Sequence, residues 1–179
     1  MTKSDQLAFD EELADSWRTQ VGETLVGTSD GRGVRVALAC SRFNGGVTLR
    51  LLESALETLS AAGVERSDLA IAWTPGAFEL PLLAKALASG PRRYDAVITL
   101  GAVIRGETGH YEVVAGECAR GVQSVQLETG VPVVFGVLTT ETVAQALERS
   151  RPDDTNKGRE AALTALEMVS VLRQGSLAR

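Results

Sequence analysis

Apolar residues change their spacing in a repeating cycle along this 179-residue chain. Short runs rich in valine, alanine and isoleucine are followed by longer segments in which leucines recur every three or four positions. The first spacing is typical of buried β-strands, and the second is typical of amphipathic helices. Four successive cycles predict a chain in which each strand is followed by a helix.

The cycles also predict where the elements begin and end. The predicted strands are residues 34–41, 69–74, 95–101 and 131–139, and the predicted helices are residues 47–62, 80–88, 111–127, 141–149 and 157–174. In the first of these helices the apolar positions are Leu49, Leu52, Leu56 and Leu59, with polar residues opposite. Strands that alternate with helices lie parallel, because each helix carries the chain back across the sheet. We therefore predict an α/β fold with helices on both faces of a central four-stranded parallel sheet.

The N-terminal segment has no comparable pattern. Residues 1–20 are predicted to form a mobile arm or a short helix, and residues 23–28, ETLVGT, a short strand. We divide the chain into an N-terminal arm, residues 1–22, and one domain, residues 23–179.

Composition narrows the class of protein without indicating its chemistry. With 18 basic and 23 acidic residues the net charge is −5, and no basic run favours nucleic-acid binding. No stretch approaches the ~20 apolar residues of a membrane span, and the acidic N-terminus is unlike a secretory signal. The two cysteines lack metal-ligand spacing. Reduced thiols and a cytoplasmic location are therefore expected.

Candidate chemistry lies in the loops after the strands, where ligands bind in open parallel sheets. Three of the four phenylalanines, Phe43, Phe78 and Phe135, fall at strand ends on this side, where an aromatic ring can stack on a flat heterocycle. For Phe43 the residues alone favour a core position. Glu79 can accept hydrogen bonds from hydroxyl groups, or it can simply place a favourable charge in the first turn of a helix. Both roles stay open.

The segment RGETGH, residues 105–110, carries the only histidine of the chain. It lacks the spacing of a P-loop, but the backbone N–H groups of Glu107 and Thr108 can hold a single phosphate at a helix start. An imidazole titrates near neutral pH, so His110 can transfer protons, although a structural role is the alternative. Further along, Arg149 suits a phosphate and Lys157 a carbonyl oxygen. A helix-dipole role for Arg149 is favoured from its position alone.

Taken together, these segments resemble the lumazine synthase family. The matching pieces are RFN (42–44), PGAFELP (75–81), ITLGAVIRGETGHYE (98–112), VPVVFGVLTTET (131–142), ER (148–149) and NKG (156–158). The resemblance implies a flavodoxin-like three-layer sandwich that works without metal or organic cofactor. It also implies condensation of 5-amino-6-(D-ribitylamino)uracil with 3,4-dihydroxy-2-butanone 4-phosphate. The products are 6,7-dimethyl-8-ribityllumazine, phosphate and water, in the penultimate step of riboflavin biosynthesis.

The resemblance assigns a role to each candidate residue. His110 is implied as the proton-transfer residue. The implied pyrimidine and ribityl contacts are Phe43, Ala77, Phe78, Glu79, Ala102, Val103, Ile104, Phe135 and Lys157, and the implied phosphate contacts are Glu107, Thr108 and Arg149. In the family's arrangement Phe135, Arg149 and Lys157 come from the adjacent subunit.

Assembly is the last expectation from the resemblance. A homopentamer is implied, and in some members twelve pentamers close into a 60-subunit shell. Residues 151–158, RPDDTNKG, match a loop of shell-forming members in length but not in composition. Within residues 23–28, LVGT is the candidate for a strand that adds to a neighbour's sheet, and riboflavin synthase is a candidate partner. The rival functions are a flavin-storage shell without turnover and a flavodoxin-like or receiver-type module.

Overall fold

A computed structural model describes residues 9–174 of the chain, with a parallel sheet at its centre. The strands are β1 (Val36–Ser41), β2 (Leu69–Thr74), β3 (Ala96–Ile104) and β4 (Val133–Thr140). Their order across the sheet is β2-β1-β3-β4, and every neighbouring pair is parallel. The four-stranded parallel sheet predicted from the spacing is therefore confirmed.

Helices cover both faces of this sheet. They are α2 (Gly45–Ala61), α3 (Leu80–Ser89), α4 (His110–Thr129), α5 (Val143–Arg149) and α6 (Lys157–Gln174), whereas the short helix α1 (Glu11–Ser16) precedes the sheet and buries no side chain. Helices α2 and α6 pack together on one face, and α3 and α4 pack together on the other. The α/β/α sandwich is thereby confirmed as well.

Strand β1 separates the two cores by alternation of its side chains. Val36, Leu38 and Cys40 belong to the core under α2 and α6, whereas Ala37 and Ala39 belong to the core under α3 and α4. All five side chains are fully buried. A strand buried on both faces is continuously apolar, which is why its signal in the sequence is a run rather than an alternation.

Helix α2 turns a different face to the core than the sequence predicted. Leu49 is exposed and Leu56 is only half-buried, whereas Leu51 and Ala55 are fully buried. Of the predicted apolar positions, Leu52 and Leu59 lie in the core. Since leucines occur on more than one side of α2, their spacing alone could not identify the side that faces the sheet.

The segment before the sheet also differs from the prediction. The arm contains the short helix α1, while residues 1–8 of the predicted arm lie outside the described part of the chain. Residues 23–28 form no strand within the chain. Instead the side-chain amide of Gln174 takes the place of a strand partner: the N–H of Val26 donates to its Oε1 at 3.3 Å, and its Nε2 donates to the Val26 carbonyl at 2.6 Å. Pairing of LVGT with a neighbouring subunit, and the division of the chain at residue 22, stay predictions.

Candidate active site

A cleft of about 680 Å³ opens at the carboxyl ends of β1, β2 and β3. We call it the first cleft. Strand order reverses between β1 and β3, and this is where open parallel sheets bind ligands. Nine residues predicted for the site line it: Phe43, Ala77, Phe78, Glu79, Ala102, Val103, Ile104, Thr108 and His110. Glu107 lies between Gly106 and Thr108 and is exposed without lining the cleft.

The loop after β1 directs an aromatic ring into the first cleft. Phe43 is 71% exposed, so the core position favoured by its sequence context is wrong. Asn44 holds the turn in the left-handed region, with φ +56°, which asparagine tolerates better than most residues. Its Nδ2 donates to the Ala102 carbonyl at 2.9 Å and so fastens the loop to β3. An exposed ring on a fastened loop is suited to stacking on a planar ligand.

The loop after β2 enters α3 through a short 3-10 turn, Ala77–Glu79. The N–H of Gly76 donates to Oε2 of Glu79 at 3.0 Å, so this carboxylate caps its own helical turn. Capping leaves the second carboxylate oxygen, Oε1, able to accept a hydrogen bond from a ligand hydroxyl. Both roles considered for Glu79 are therefore compatible. Phe78, beside it, is half exposed and lines the same cleft.

The loop after β3 leads directly into α4, whose first residue is His110. Within the described chain, the backbone N–H groups of Gly106, Glu107 and Thr108 donate to no other backbone group. Free N–H groups at the start of a long helix are suited to an anion such as phosphate. His110 is exposed, so its imidazole is open to a ligand in the first cleft.

The remaining predicted residues line a different cleft. This second cleft, of about 690 Å³, runs along the edge strand β4 between α4 and α6. Phe135, Arg149 and Lys157 line it, and no residue lines both clefts. The structure of one chain therefore does not bring these three residues together with His110.

Local contacts hold the two cations of the second cleft. Arg149 is the last residue of α5, and its guanidinium donates to the Gln145 carbonyl at 3.2 Å. That contact matches the helix-end role favoured from its position. Lys157 begins α6 and pairs with Glu160 one turn later. Phe135 belongs to the edge strand β4, is 38% exposed and lines the same cleft. Both cations remain solvent-accessible. An exposed ion pair such as Lys157–Glu160 contributes little to the stability of the fold.

Among the lining residues of the first cleft outside the predicted set, Asn44 and Tyr111 are the two with polar side chains. Asn44 follows an aromatic residue and precedes two glycines, a composition that indicates a turn. Tyr111 follows His110 in the first turn of α4, and nothing in the spacing separates it from a core residue. Its ring is half-buried and carries the guanidinium of Arg105 at 4.1 Å.

Neither a metal centre nor a membrane span is built by residues 9–174. No group of three or more His, Cys, Asp and Glu side chains comes together there as metal ligands would. No helix in the same range is long and apolar enough to cross a membrane.

The part of the chain that forms the two clefts matches a known protein family. The family model described as 6,7-dimethyl-8-ribityllumazine synthase matches residues 33–173, which include every residue of both clefts named above. A 6,7-dimethyl-8-ribityllumazine synthase from Edwardsiella ictaluri (strain 93-146) is 53% identical over 152 residues, or 84% of this chain and 97% of the relative. The chain belongs to the 6,7-dimethyl-8-ribityllumazine synthase family.

Membership of the lumazine synthase family makes the chain an enzyme of the transferase class with a role in riboflavin biosynthesis. The receiver-type alternative is thereby excluded. The resemblance noted in the sequence is confirmed at the level of the family. Roles for individual residues of the two clefts do not follow from membership and stay predictions.

Proposed function

We propose that the chain condenses 5-amino-6-(D-ribitylamino)uracil with 3,4-dihydroxy-2-butanone 4-phosphate to give 6,7-dimethyl-8-ribityllumazine, phosphate and water. The observation that carries this proposal is the first cleft, where an exposed aromatic ring, a partly free carboxylate and unpaired backbone N–H groups surround the only histidine. These groups match the planar ring, the hydroxyl chain and the phosphate of the two substrates. No cofactor is required for the chemistry.

In this proposal the first cleft holds the pyrimidine between Phe43 and the wall formed by Ala102, Val103 and Ile104. Glu79 accepts hydrogen bonds from the ribityl hydroxyls through its uncapped oxygen. The start of α3, Ala77 and Phe78, closes the other side. Glu107 and Thr108 hold the phosphate through their backbone N–H groups, so the Glu107 carboxylate can point to solvent.

The reaction follows from this placement in four steps. The 5-amino group of the pyrimidine adds to the ketone, and loss of water gives an imine. Loss of a proton from the carbon next to the imine then expels phosphate with its electron pair and leaves an enol, which tautomerises to a ketone. The ribityl-bearing amine adds to this ketone and closes the second ring with loss of another water. Each step moves a proton between nitrogen, carbon and oxygen, and His110 is the group in the first cleft that can accept and return it.

Much of the rate acceleration comes from holding the two flexible reactants together in one site. Effective molarities for well-oriented reactants are very large, of the order of 10⁵ M or more in favourable cases. The histidine then contributes general acid–base catalysis in addition to proximity.

A complete site requires two subunits in this proposal. Within the described residues no lysine or arginine lines the first cleft, whereas Arg149 and Lys157 line the second. We place the second cleft of an adjacent subunit against the first, so that Arg149 reaches the phosphate, Lys157 a pyrimidine carbonyl and Phe135 the ring. A closed homo-oligomer satisfies every site in this way, and a pentamer is the ring that we propose.

Higher assembly, partners and location complete the proposal. Twelve pentamers can close into a 60-subunit shell, and riboflavin synthase would consume the product. We propose a cytoplasmic location, which is compatible with two cysteines that are buried and unpaired.

The test mixes the purified chain with both substrates and follows lumazine fluorescence together with release of inorganic phosphate. Equal amounts of lumazine and phosphate are expected, and omission of either substrate is the control. Sedimentation of the same sample distinguishes a pentamer from a shell. An assembled protein that binds lumazine but forms none would instead identify a storage shell and overturn the proposed reaction.

A further inference from the structure

Arg105 joins three segments that meet behind the first cleft. It follows β3 directly, and its backbone N–H donates to the Thr140 carbonyl at the end of β4 at 2.9 Å. Its Nε donates to Oε2 of Glu141 at 2.6 Å, and its NH1 donates to the carboxylate of Glu112 in the first turn of α4. The guanidinium also lies over the ring of Tyr111, 4.1 Å from its centroid. One side chain therefore links β3, β4 and α4.

The charge of this guanidinium is already balanced. Arg105 hydrogen-bonds two carboxylates, which raises its pKa, and the contact lowers the pKa of Glu112. Moreover, Arg105 does not line the first cleft, although its neighbours Ile104 and Gly106 both do. A cation that is paired twice and lies outside the cleft is poorly suited to bind the phosphate directly.

Among residues 9–174, no other side chain anchors the start of α4 in this way. Its N-cap is Gly109, which offers no side chain to the free N–H groups of the first turn. The preceding N–H groups of Gly106, Glu107 and Thr108 have no backbone acceptor in the described chain. Because His110 is the first residue of this helix, its position depends on where the first turn of α4 is held.

We propose that Arg105 is a positioning residue that holds His110 and the 106–108 loop in register with the ends of β3 and β4. The inference deepens the proposed function and rests on it. Arg105 acts through Glu112 and Tyr111 on one side and through Glu141 on the other. Contact with two carboxylates through separate nitrogens, together with stacking on an aromatic ring, is a property of arginine that lysine does not reproduce.

The kinetic test compares Arg105→Met, which keeps the apolar stem, with Glu141→Gln, which loosens only the β4 side. Since displacement of a catalytic group by about 1 Å can cost up to ~100-fold, we expect Arg105→Met to lower kcat about tenfold with the KM of each substrate nearly unchanged. Glu141→Gln should lower kcat less. The double variant should be no slower than Arg105→Met, because both changes remove the same link.

Arg120→Met is the matched control, since Arg120 lies on α4, the helix that Arg105 contacts, is exposed and pairs only with Glu117 in the described chain. Its kinetics should equal those of the wild type. A rise in KM for the phosphorylated substrate alone in Arg105→Met would make Arg105 a phosphate ligand and overturn the inference. Unchanged kinetics, or effects that multiply in the double variant, would also overturn it.

Amide hydrogen exchange of residues 106–112 tests the positioning without turnover. Exchange in this segment should be faster in Arg105→Met and in Glu141→Gln, and unchanged in Arg120→Met. If Arg105→Met does not fold, Glu141→Gln carries the test, and wild-type exchange in that variant refutes the inference. Absence of lumazine formation by the wild-type chain would refute the proposed function alone, since the exchange result stands independently.

Discussion

The two clefts of the chain differ in charge more than in size. The first, at the carboxyl ends of the strands, contains His110 and Glu79 but no lysine or arginine among the described residues. The second, along the edge strand β4, contains Arg149 and Lys157 but no histidine. In the proposed function, each cleft therefore holds part of the chemistry that the phosphorylated substrate requires.

This difference is the reason that the proposed function requires two subunits for each site. Backbone N–H groups can hold a phosphate, but a guanidinium provides a full compensating charge and a two-point contact. If the cation comes from an adjacent subunit, the site exists only in the assembly. Changes in either cleft should then have separable effects, and changes in the packing between them should affect both.

The largest expected effect is at Gly158, next to Lys157 at the start of α6. A Cβ added there would lie 2.0 Å from the Leu51 carbonyl oxygen, and that backbone cannot yield without separating α2 from α6. We expect Gly158→Ala to lower the free energy of unfolding by about 3 kcal/mol or more, at the upper end of overpacking costs. Because Lys157 precedes Gly158, the same substitution should displace Lys157 from the second cleft.

Gly116→Ala is the control, because a Cβ at this position in α4 meets no atom within 4 Å. An interior helical glycine replaced by alanine should gain about 0.5–1 kcal/mol. Urea unfolding at one fixed protomer concentration measures both variants. Equal stability of Gly158→Ala and the wild type would mean that α2 and α6 are not in close contact.

The next largest effect concerns the first cleft alone. His110→Ala should lower kcat about ten- to hundredfold, since general acid–base catalysis is lost while proximity remains. KM for both substrates should change little, because the stacking and phosphate contacts are intact. Steady-state kinetics with each substrate varied in turn provide the measurement. A wild-type kcat in this variant would remove the histidine from the mechanism.

Mixing variants of the two clefts tests whether they meet across subunits. Arg149→Ala should raise KM for the phosphorylated substrate by about tenfold or more, because a charged partner is lost. When His110→Ala and Arg149→Ala chains are unfolded together and reassembled in equal amounts, about one quarter of the interfaces carry both intact groups. Activity of the mixture should then exceed that of either parent at low substrate. Activity between those of the two parents would show that each site lies within one chain.

Much of the fold was predictable because each element carries its own signal. Strands β1 and β3 are buried on both faces and are apolar runs in the sequence, so their positions along the chain and the loops that follow them could be inferred. The first cleft is built from those loops. Ala102, Val103 and Ile104 line this cleft, and β3 extends to Ile104 rather than ending at residue 101. The extension depends on pairing with β4, from Ala102 with Leu138 to Ile104 with Thr140, which local spacing does not encode.

What the sequence could not provide are relations between distant segments. The burial of Leu51 in place of Leu49 depends on how α2 rotates against the sheet. The separation of Arg149 from His110 depends on which strand lies at the edge. Residues 23–28 were predicted as a strand from composition, but a strand also requires a partner strand. Within the chain, the side-chain amide of Gln174 hydrogen-bonds the backbone N–H and carbonyl of Val26 instead.

The smallest expected effect concerns the cysteines, which lie on opposite faces of the sheet and report how rigid each core is. Burial raises the pKa of Cys118 in α4 to about 11 and that of Cys40 in β1 to about 12. Because the thiolate is the reactive form, the thiolate fraction of Cys118 at pH 8 should be about a hundredfold below that of an ordinary thiol. A colorimetric thiol reagent should therefore modify neither residue quickly in the native protein and both in guanidinium chloride. Rapid modification of Cys118 alone would mean that α4, which carries His110 and one wall of each cleft, opens in the native state.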